Sequence, residues 1–523
     1  MTALAERVGP VADAYDAVVV GGGLGGLSAA ALLAKAGRSV LVVEQGAAAG
    51  GYAHSFTRGP YRFDPAVHFT VQAAENGLLD LVLRVLGVRD RCMLMPHEWL
   101  YEASFPGLRV RVPAGKDAFV AAHARHFPQE ADGIRRFVDL AEELTEQSQD
   151  VGGNVSLRKL DAASADFPTL FRWRRSTLAE ALDEHLHDPR LKALLAASWP
   201  YAGLPPSRLS FLTWAAMLMA MLEDGPFQVR GGFQRLVDAL VQGFEDHGGE
   251  LVLGCAAKGI EVAGGRVSGV RLEGDRFIRA PVVVANADAR QTFARLVGAQ
   301  HLPPGFVRRL GRLEPALSAC IAFAATTLDL REHGAAHETF LHHSWDHDET
   351  YRGILGGGLG GMWVTVPTLH DPSLAPPGEH IAIVTSHMPY EVGTPWRELR
   401  ERYRGLMLGE LEQTFPGFTG RLRYFEMGTP QTLQRYALND QGAMYGWANT
   451  PSQATSQRLA HRTPIDGLLL AGHWAQPGSG SLRAIYSGMH AAQQVLGHPT
   501  VDSLLEADVT GMFVVDELTG APL

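Results

Sequence analysis

Tyr15-Asp16-Ala17-Val18-Val19-Val20-Gly21-Gly22-Gly23-Leu24-Gly25-Gly26 decides the fold. Its first six residues form an apolar run of the kind found in a buried parallel strand. Glycines then fill all three positions of G-x-G-x-x-G, at Gly21, Gly23 and Gly26. Leu27 to Ala36 reads as a helix of small and apolar residues that Gly37 stops. A second strand, Ser39 to Val43, ends at Glu44, the acid expected about twenty residues past the glycines. Gly21 permits the tight turn, Gly23 lets the backbone approach a pyrophosphate, and Gly26 lets the helix pack closely on the strand. The helix N-terminus offers free N–H groups to the phosphates, and Glu44 can accept from a ribose hydroxyl. Together these elements predict a site for an ADP-containing dinucleotide.

The chain carries its own control. Gly356-Gly357-Gly358-Leu359-Gly360-Gly361 repeats the glycine pattern, but a strand, Met362 to Pro367, follows where a helix is required. The expectation is a flexible loop that moves over a ligand, and one dinucleotide site, not two.

With 523 residues the chain has room for two to four domains and a large core. Hydrophobic residues make up 46% and charged residues 20%, ordinary for a globular protein. A net charge of −10 without a dense basic cluster argues against nucleic acid as a partner. Cys92, Cys255 and Cys320 are far apart and lack metal-ligand spacing, so no metal site and no structural disulfide are expected. Met1 to Asp13 lacks the pattern of a signal peptide, and no run reaches the roughly 18 to 20 apolar residues of a membrane span. A cytoplasmic setting is the expectation, with oligomeric state left open.

Past Glu44, the pair Gly50-Gly51 sits where a backbone passes close to the rest of a long cofactor, an arrangement that suits FAD better than NAD. His68 either faces flavin or substrate, or is a satisfied core histidine. From Leu78 to about Arg208 the signals are mostly helical, with Ser176 or Thr177 capping one helix. Phe167 to Arg175 mixes aromatics with three arginines; it suits a membrane surface or a solvated helix start. Phe211 to Leu222, rich in methionine, reads as a buried core helix or as the wall of a tunnel for a greasy substrate. A helix from Gln234 to His247 and strands through Ala285 return to the nucleotide-domain style. Ala289 to Thr463 predicts a second substrate-domain piece with an antiparallel sheet. Gly467 to Gly472 is then a buried strand, and a loop with Gly478 and Ser479 feeds a helix from Leu482 to Leu496. Such a loop can stabilise negative charge on a reduced flavin.

The ordered set Gly21, Gly23, Gly26 and Glu44, Gly50-Gly51, Phe63-Asp64 with His68, Gly231-Gly232, Asn286-Ala287-Asp288, and Ala471-Gly472-His473-Trp474 with Pro477-Gly478 resembles the FAD-dependent carotenoid (phytoene) desaturase and carotenoid isomerase family, including its retinol-saturase-like branch. Tyr201 to Ser207 and Asp371 to Gly378 also look like family loops, and the likeness runs from Tyr15 to about Leu496. It implies an α/β fold: a Rossmann-type FAD-binding domain with an interleaved α+β substrate domain, as in amine oxidases and GDP-dissociation inhibitors. It also implies a long apolar tunnel reached from a membrane surface, and desaturation, saturation or cis/trans isomerisation of a polyene. Two departures stand out. Ala257 occupies the place where a larger valine commonly packs on the adenine, and Pro65-Ala66-Val67-His68 lacks the usual glycine.

The expected division is FAD-binding for residues 1–75, 225–295 and 460–500, substrate-binding for 76–224 and 296–459, and a tail from 501 to 523. The expected cofactor contacts are Gly21, Gly23, Gly26, Glu44, Gly50, Gly51, Ala257, Gly472, Gly478 and Ser479. His68, His473 and Tyr445 are catalytic candidates by motif position alone. Two rivals remain: an amine oxidase, which would need a polar entrance and an aromatic cage for a cation, and a non-enzymatic lipid carrier like the Rab GDP-dissociation inhibitors, which could let the glycines and the acid decay.

Overall fold

A computed structural model describes residues 11–154 and 164–510, without the side chains of 151–154 and 507–510. The reading of the first ten residues and of the tail beyond 510 lies outside the described residues; 501–510 is a helix, Val501–Thr510.

Strand Ala17–Val20 is the centre of a five-stranded, wholly parallel sheet. Val40–Val43 and Glu250–Val252 lie on one side of it, Val282–Ala285 and Leu468–Leu470 on the other. Three distant stretches of sequence therefore build one sheet. Side chains alternate along each strand. Ala17 and Val19 join a core with helices Leu24–Lys35, Gln234–Asp246 and Ser481–Leu496, while Val18 and Val20 face the antiparallel meander Ala257–Ala263, Arg266–Leu272 and Phe277–Arg279. Burial on both faces explains why these strands read as unbroken apolar runs.

A second, seven-stranded sheet runs Leu422–Gly428, Ser318–Thr326, His380–Met388, Met362–Thr365, Glu338–Leu341, Trp99–Phe105, Leu108–Pro113. Its neighbours are antiparallel except for Glu338–Leu341 against Trp99–Phe105, which is parallel. The two strands at 99–113 correct the largely helical reading of that region. They hairpin on each other, but their edge partner comes from far along the chain, beyond the reach of local pattern. One face of the sheet packs on helices Ala131–Asn154 and Phe211–Asp224; the other packs on Trp396–Thr414.

The second glycine run follows helix His347–Leu355 and precedes strand Met362–Thr365, the reverse of a dinucleotide fingerprint. It is pinned, not flexible. The Ser386 hydroxyl bonds to Gly360 N and O, Tyr403 donates to Gly357 O at 2.6 Å, and a Cβ on Gly361 would meet the Trp199 ring at 2.6 Å. Thr177, not Ser176, caps helix Leu178–His185, in a capping box with Glu180. In the aromatic–arginine segment Trp173 is buried and Arg172 pairs with Glu184. No helix among the described residues is long and apolar enough to cross a membrane.

Candidate active site

At the carboxyl ends of the parallel strands, where ligands of open α/β sheets sit, one cavity of about 1670 Å³ opens. Its wall begins at Val20, Gly21, Gly23, Val43 and Glu44 and continues to the Phe211–Asp224 helix and Trp363 on the second sheet. Single-ligand pockets are about 300–1,000 Å³. This one has room for a cofactor and a substrate together.

The glycines are required by contact. A Cβ on Gly26 would lie 2.2 Å from Gly21 O, and one on Gly23 would lie 2.7 Å from Asn286 Nδ2. Gly21 has φ +103°, and Gly50 N donates to Gly22 O at 2.7 Å, which brings the second glycine pair against the first. Glu44 accepts from Gly22 N at 2.8 Å and Gly46 N at 2.6 Å, holding its carboxylate beside the turn. Ala257 opens a strand that lines the cavity next to Lys258. Helices Leu24–Lys35 and Ser481–Leu496 both start at this cavity without a side-chain cap, whereas Thr177, Asp188, Ser210 and Asp346 cap others. Uncapped N–H groups and two positive dipole ends suit an anionic ligand. An FAD-shaped group fits these residues, with the bare glycines and Glu44 able to hold its ADP half and the start of Ser481–Leu496 able to face its ring.

Of the residues expected from sequence, Gly21, Gly23, Glu44, Gly50, Gly51, Ala257, Gly472, Ser479, His68, His473 and Tyr445 line this cavity. Gly26 and Gly478 stand behind it. Gly26 serves the turn, and a Cβ on Gly478 would lie 2.9 Å from Arg458 Nε. His473 lies 5.9 Å from Tyr52, ring to ring, and burial lowers its pKa to about 3. Tyr445 commits its hydroxyl proton to Pro200 O at 3.0 Å, which makes it a wall residue. His68 meets the Thr365 hydroxyl through Nδ1 at 2.9 Å, and burial lowers its pKa to about 4. The buried Asp64 joins two of the sequence blocks by accepting from Ser55 Oγ at 2.5 Å and Phe233 N at 3.0 Å. Burial pushes its pKa up to about 6.

Sequence reading placed Asn286 in a family block without giving it a role, and it passed over Arg458, Arg483, Glu338 and Thr365. Asn286 sits at the meeting point of the blocks: a Cβ on Gly472 would lie 2.3 Å from its Oδ1, and Gly25 and Gly23 abut it too. Buried Arg458 donates to the oxygens of Tyr445, His473, Trp447 and Asn449 and meets no carboxylate among the described residues. Arg483, within electrostatic reach of Arg458, lines the cavity and has no hydrogen bond or ion pair among the described residues. Burial lowers both, to about 9 and about 10, so both stay charged at neutral pH. Arg483 had a signal: a cation in the first turn of a helix opposes the dipole and needs a reason. Glu338 and Thr365 had none, because only strand register brings them to His68.

The fold and site define a two-domain flavoprotein built around one dinucleotide cradle. The chain belongs to the flavin containing amine oxidoreductase family, matched over residues 24–496; it is an FAD-dependent oxidoreductase. Prolycopene isomerase 1 of an Oncidium hybrid cultivar is 26% identical over 92% of this chain and 84% of its own length. The neurosporene-forming phytoene desaturase of Rhodobacter capsulatus is 28% identical over 92% and 94%. Human all-trans-retinol 13,14-reductase is 25% identical over 88% and 82%. Among solved structures, wild-type putrescine oxidase bound to putrescine superposes with a TM-score of 0.64 at 16% identity, covering 92% of this chain and 99% of that one. At that identity the last likeness concerns the fold alone.

Proposed function

We propose that this enzyme acts on carbon–carbon bonds of a long apolar polyene, by desaturation, saturation or cis/trans isomerisation. The observation that carries the reading is one continuous cavity, which runs from the glycine cradle to an apolar wall. That wall is formed by Leu212, Ala216, Met217, Met219 and Ala220 of the Phe211–Asp224 helix, with Phe69 and Trp363. Methionine surfaces adapt to irregular apolar ligands. Relatives named for prolycopene, phytoene and retinol support the same class of substrate. We assign residues 1–75, 225–295 and 460–500 to holding FAD, and 76–224 and 296–459 to the substrate.

FAD, when bound, supplies exchange of a hydride at its ring. This chain's residues do the rest. Gly21, Gly23, Gly50 and Gly51 would let the cofactor approach the main chain, and Glu44 would accept from a ribose hydroxyl. The methionine helix and Trp363 exclude water and orient the polyene, while Tyr52 and His473 line the cavity beside Gly51 and Gly472. Such a substrate partitions into lipid, so we extend the reading to transient contact of Phe167 to Arg175 with a bilayer; co-sedimentation with anionic vesicles tests it, and full recovery in the supernatant rejects it.

The main test has two stages. After incubation with FAD and desalting, the protein is expected to keep flavin absorption. The loaded enzyme is then given phytoene, prolycopene and all-trans-retinol in micelles, with and without an electron acceptor, and products are separated by chromatography. Conversion of any of them supports the reading. Peroxide from an amine panel with no polyene product rejects it.

A further inference from the structure

On the cavity-side face of the second sheet, Glu338 and Thr365 are directly paired across neighbouring strands. Thr365 Oγ1 lies 3.0 and 2.9 Å from the two oxygens of Glu338 and 2.9 Å from His68 Nδ1. One hydroxyl thus bridges an enclosed acid, 1% exposed, and a histidine of the cavity wall. The second nitrogen of that histidine, Nε2, is buried and has no hydrogen-bond partner among the described residues. A buried acid with a cavity-wall histidine at the end of its hydrogen bonds is more than packing requires, since an apolar pair would fill the same face at lower desolvation cost.

We propose that Glu338, through Thr365, sets the tautomer of His68 and exchanges a proton with the substrate cavity by way of that ring. A hydroxyl has one proton to give, so the two states of the acid impose opposite arrangements. With Glu338 protonated, its O–H donates to Thr365, Thr365 donates to His68 Nδ1, and the ring proton sits on Nε2. With Glu338 ionised, Thr365 donates to the carboxylate, Nδ1–H donates to Thr365, and Nε2 is bare. Burial pushes the Glu338 pKa up to about 8, so the acid changes state near neutral pH. The titratable groups around it are Tyr201 and Tyr445, His337 with Nε2 at 4.0 Å, and His97 stacked on His337 with His370 beyond. Burial holds His337 and His97 neutral, and no carboxylate or guanidinium is among these neighbours.

The inference rests on the polyene reading for its chemistry. Dehydrogenation removes a hydride from one substrate carbon, and FAD held in the glycine cradle would be the oxidant that accepts it. The adjacent carbon loses a proton to His68 Nε2, and the electron pair of that C–H bond becomes the new double bond. The Nδ1 proton passes to Thr365, and the Thr365 proton passes to the Glu338 carboxylate. Saturation runs the same transfers backwards. Glu338 and Thr365 are positioning residues; His68 is the group that meets the substrate.

The test uses FAD-loaded wild type, Glu338→Gln, Thr365→Val and Thr365→Ser. Nitrogen-15 NMR of the His68 ring between pH 6 and 9.5 is expected to show the proton moving from Nε2 to Nδ1 with a midpoint near that of a carboxyl infrared band. Both the band and the tautomer change vanish in Glu338→Gln, while Thr365→Val uncouples one from the other. Polyene turnover is expected to fall about 100-fold in both variants with KM changed less than about twofold, and Thr365→Ser restores it. A His68 tautomer indifferent to Glu338→Gln and to Thr365→Val overturns the relay, as does wild-type turnover in both variants. If no polyene is converted by the wild type, the polyene reading fails, and the NMR coupling alone decides whether the relay stands. Should Glu338→Gln lose its flavin through misfolding, Thr365→Val, which keeps the side chain's shape, carries the decision.

Discussion

Gly488 rests directly on Gly25: a Cβ added to Gly488 would lie 2.1 Å from Gly25 O and 2.4 Å from Ser28 Oγ. This contact locks helix Ser481–Leu496 to helix Leu24–Lys35, so the two uncapped N-termini at the cavity are held as one rigid unit. Gly488→Ala is expected to lower stability by about 1–3 kcal/mol, since the obstacle is backbone and cannot swing aside. It should also weaken FAD binding, because the separation of the two termini changes. Chemical denaturation and a flavin fluorescence titration read the two effects. An unchanged midpoint would show that the helices slide freely.

Glu44 makes the next prediction. Its carboxylate holds Gly22 N and Gly46 N and stands ready for a ribose hydroxyl. Hydrogen bonds to charged groups contribute about 1.5–3 kcal/mol. Glu44→Gln is therefore expected to weaken FAD about tenfold or more without changing the colour of the bound flavin. Equal affinity in an equilibrium titration would remove Glu44 from the ribose.

How much of this was legible beforehand follows from the range of each cause. The cradle was legible because Gly21, Gly23 and Gly26 answer to contacts within one turn, and because strands Ala17–Val20, Val40–Val43 and Leu468–Leu470 of the parallel sheet are buried throughout. The failure of the second glycine run was legible from its flanks. Strands Trp99–Phe105 and Leu108–Pro113 were not, since the partner that places them in the large sheet is remote. The Phe211–Asp224 helix was read two ways; one face is packed in the core, and the other lines the cavity. Glu338 is an acid in an apolar strand, and nothing nearby in the chain says that Thr365 and His68 will meet it. Tyr445 was named from its motif, yet its proton is held by Pro200. Motif position finds neighbours of the site, while hydrogen bonding assigns their work.

Arg483 on the cavity wall and Arg458 behind it place two guanidinium groups near the start of Ser481–Leu496, where the flavin ring is proposed to sit, with no carboxylate partner among the described residues. Positive charge there favours the reduced flavin, which carries negative charge. Arg483→Met is expected to cut the preference for reduced over oxidised flavin about tenfold to a hundredfold, a fall of about 30–60 mV in midpoint potential for a two-electron couple. Arg483→Lys should keep most of it. Dye-equilibrated reduction measures the potential, and a value within error of wild type would place Arg483 away from the ring.

Acid should unfold this protein readily. Burial depresses His68, His123, His387 and His461 to about 4, and His97 and His473 to about 3. Each is neutral in the fold and gains a proton more easily when unfolded. Their contribution is therefore present above pH 6.5 and lost as pH falls toward 4, at up to about 1.4 kcal/mol per pH unit for each. Asp64 and Asp288, raised to about 6, and Glu338, raised to about 8, act in the opposite sense. Their contribution is complete below the ordinary carboxyl range and lost as pH rises through their folded values. Six groups outweigh three, so the melting temperature is expected to drop steeply from pH 6.5 to 4.5. A flat profile would contradict the burial of these rings.

The two faces of the methionine helix can be separated by where added volume goes. Phe211, Trp214 and Leu218 are packed into the core, whereas Ala216, Met217, Met219 and Ala220 are partly open and line the cavity. Residues three or four apart share a face, so the division follows from helical geometry. Ala220→Trp grows into open space and is expected to change stability by less than about 1 kcal/mol, whereas Leu218→Trp overpacks the core and costs about 1–3 kcal/mol. On activity the order reverses for Ala220→Trp: FAD is retained, and turnover of a long polyene falls at least about tenfold while a shorter one still reacts, because the ring shortens the apolar part of the cavity. Paired rates on a long and a short substrate make the measurement. Equal loss for both would mean that the chain of the substrate lies elsewhere in the cavity, for example against Met444 and Tyr445.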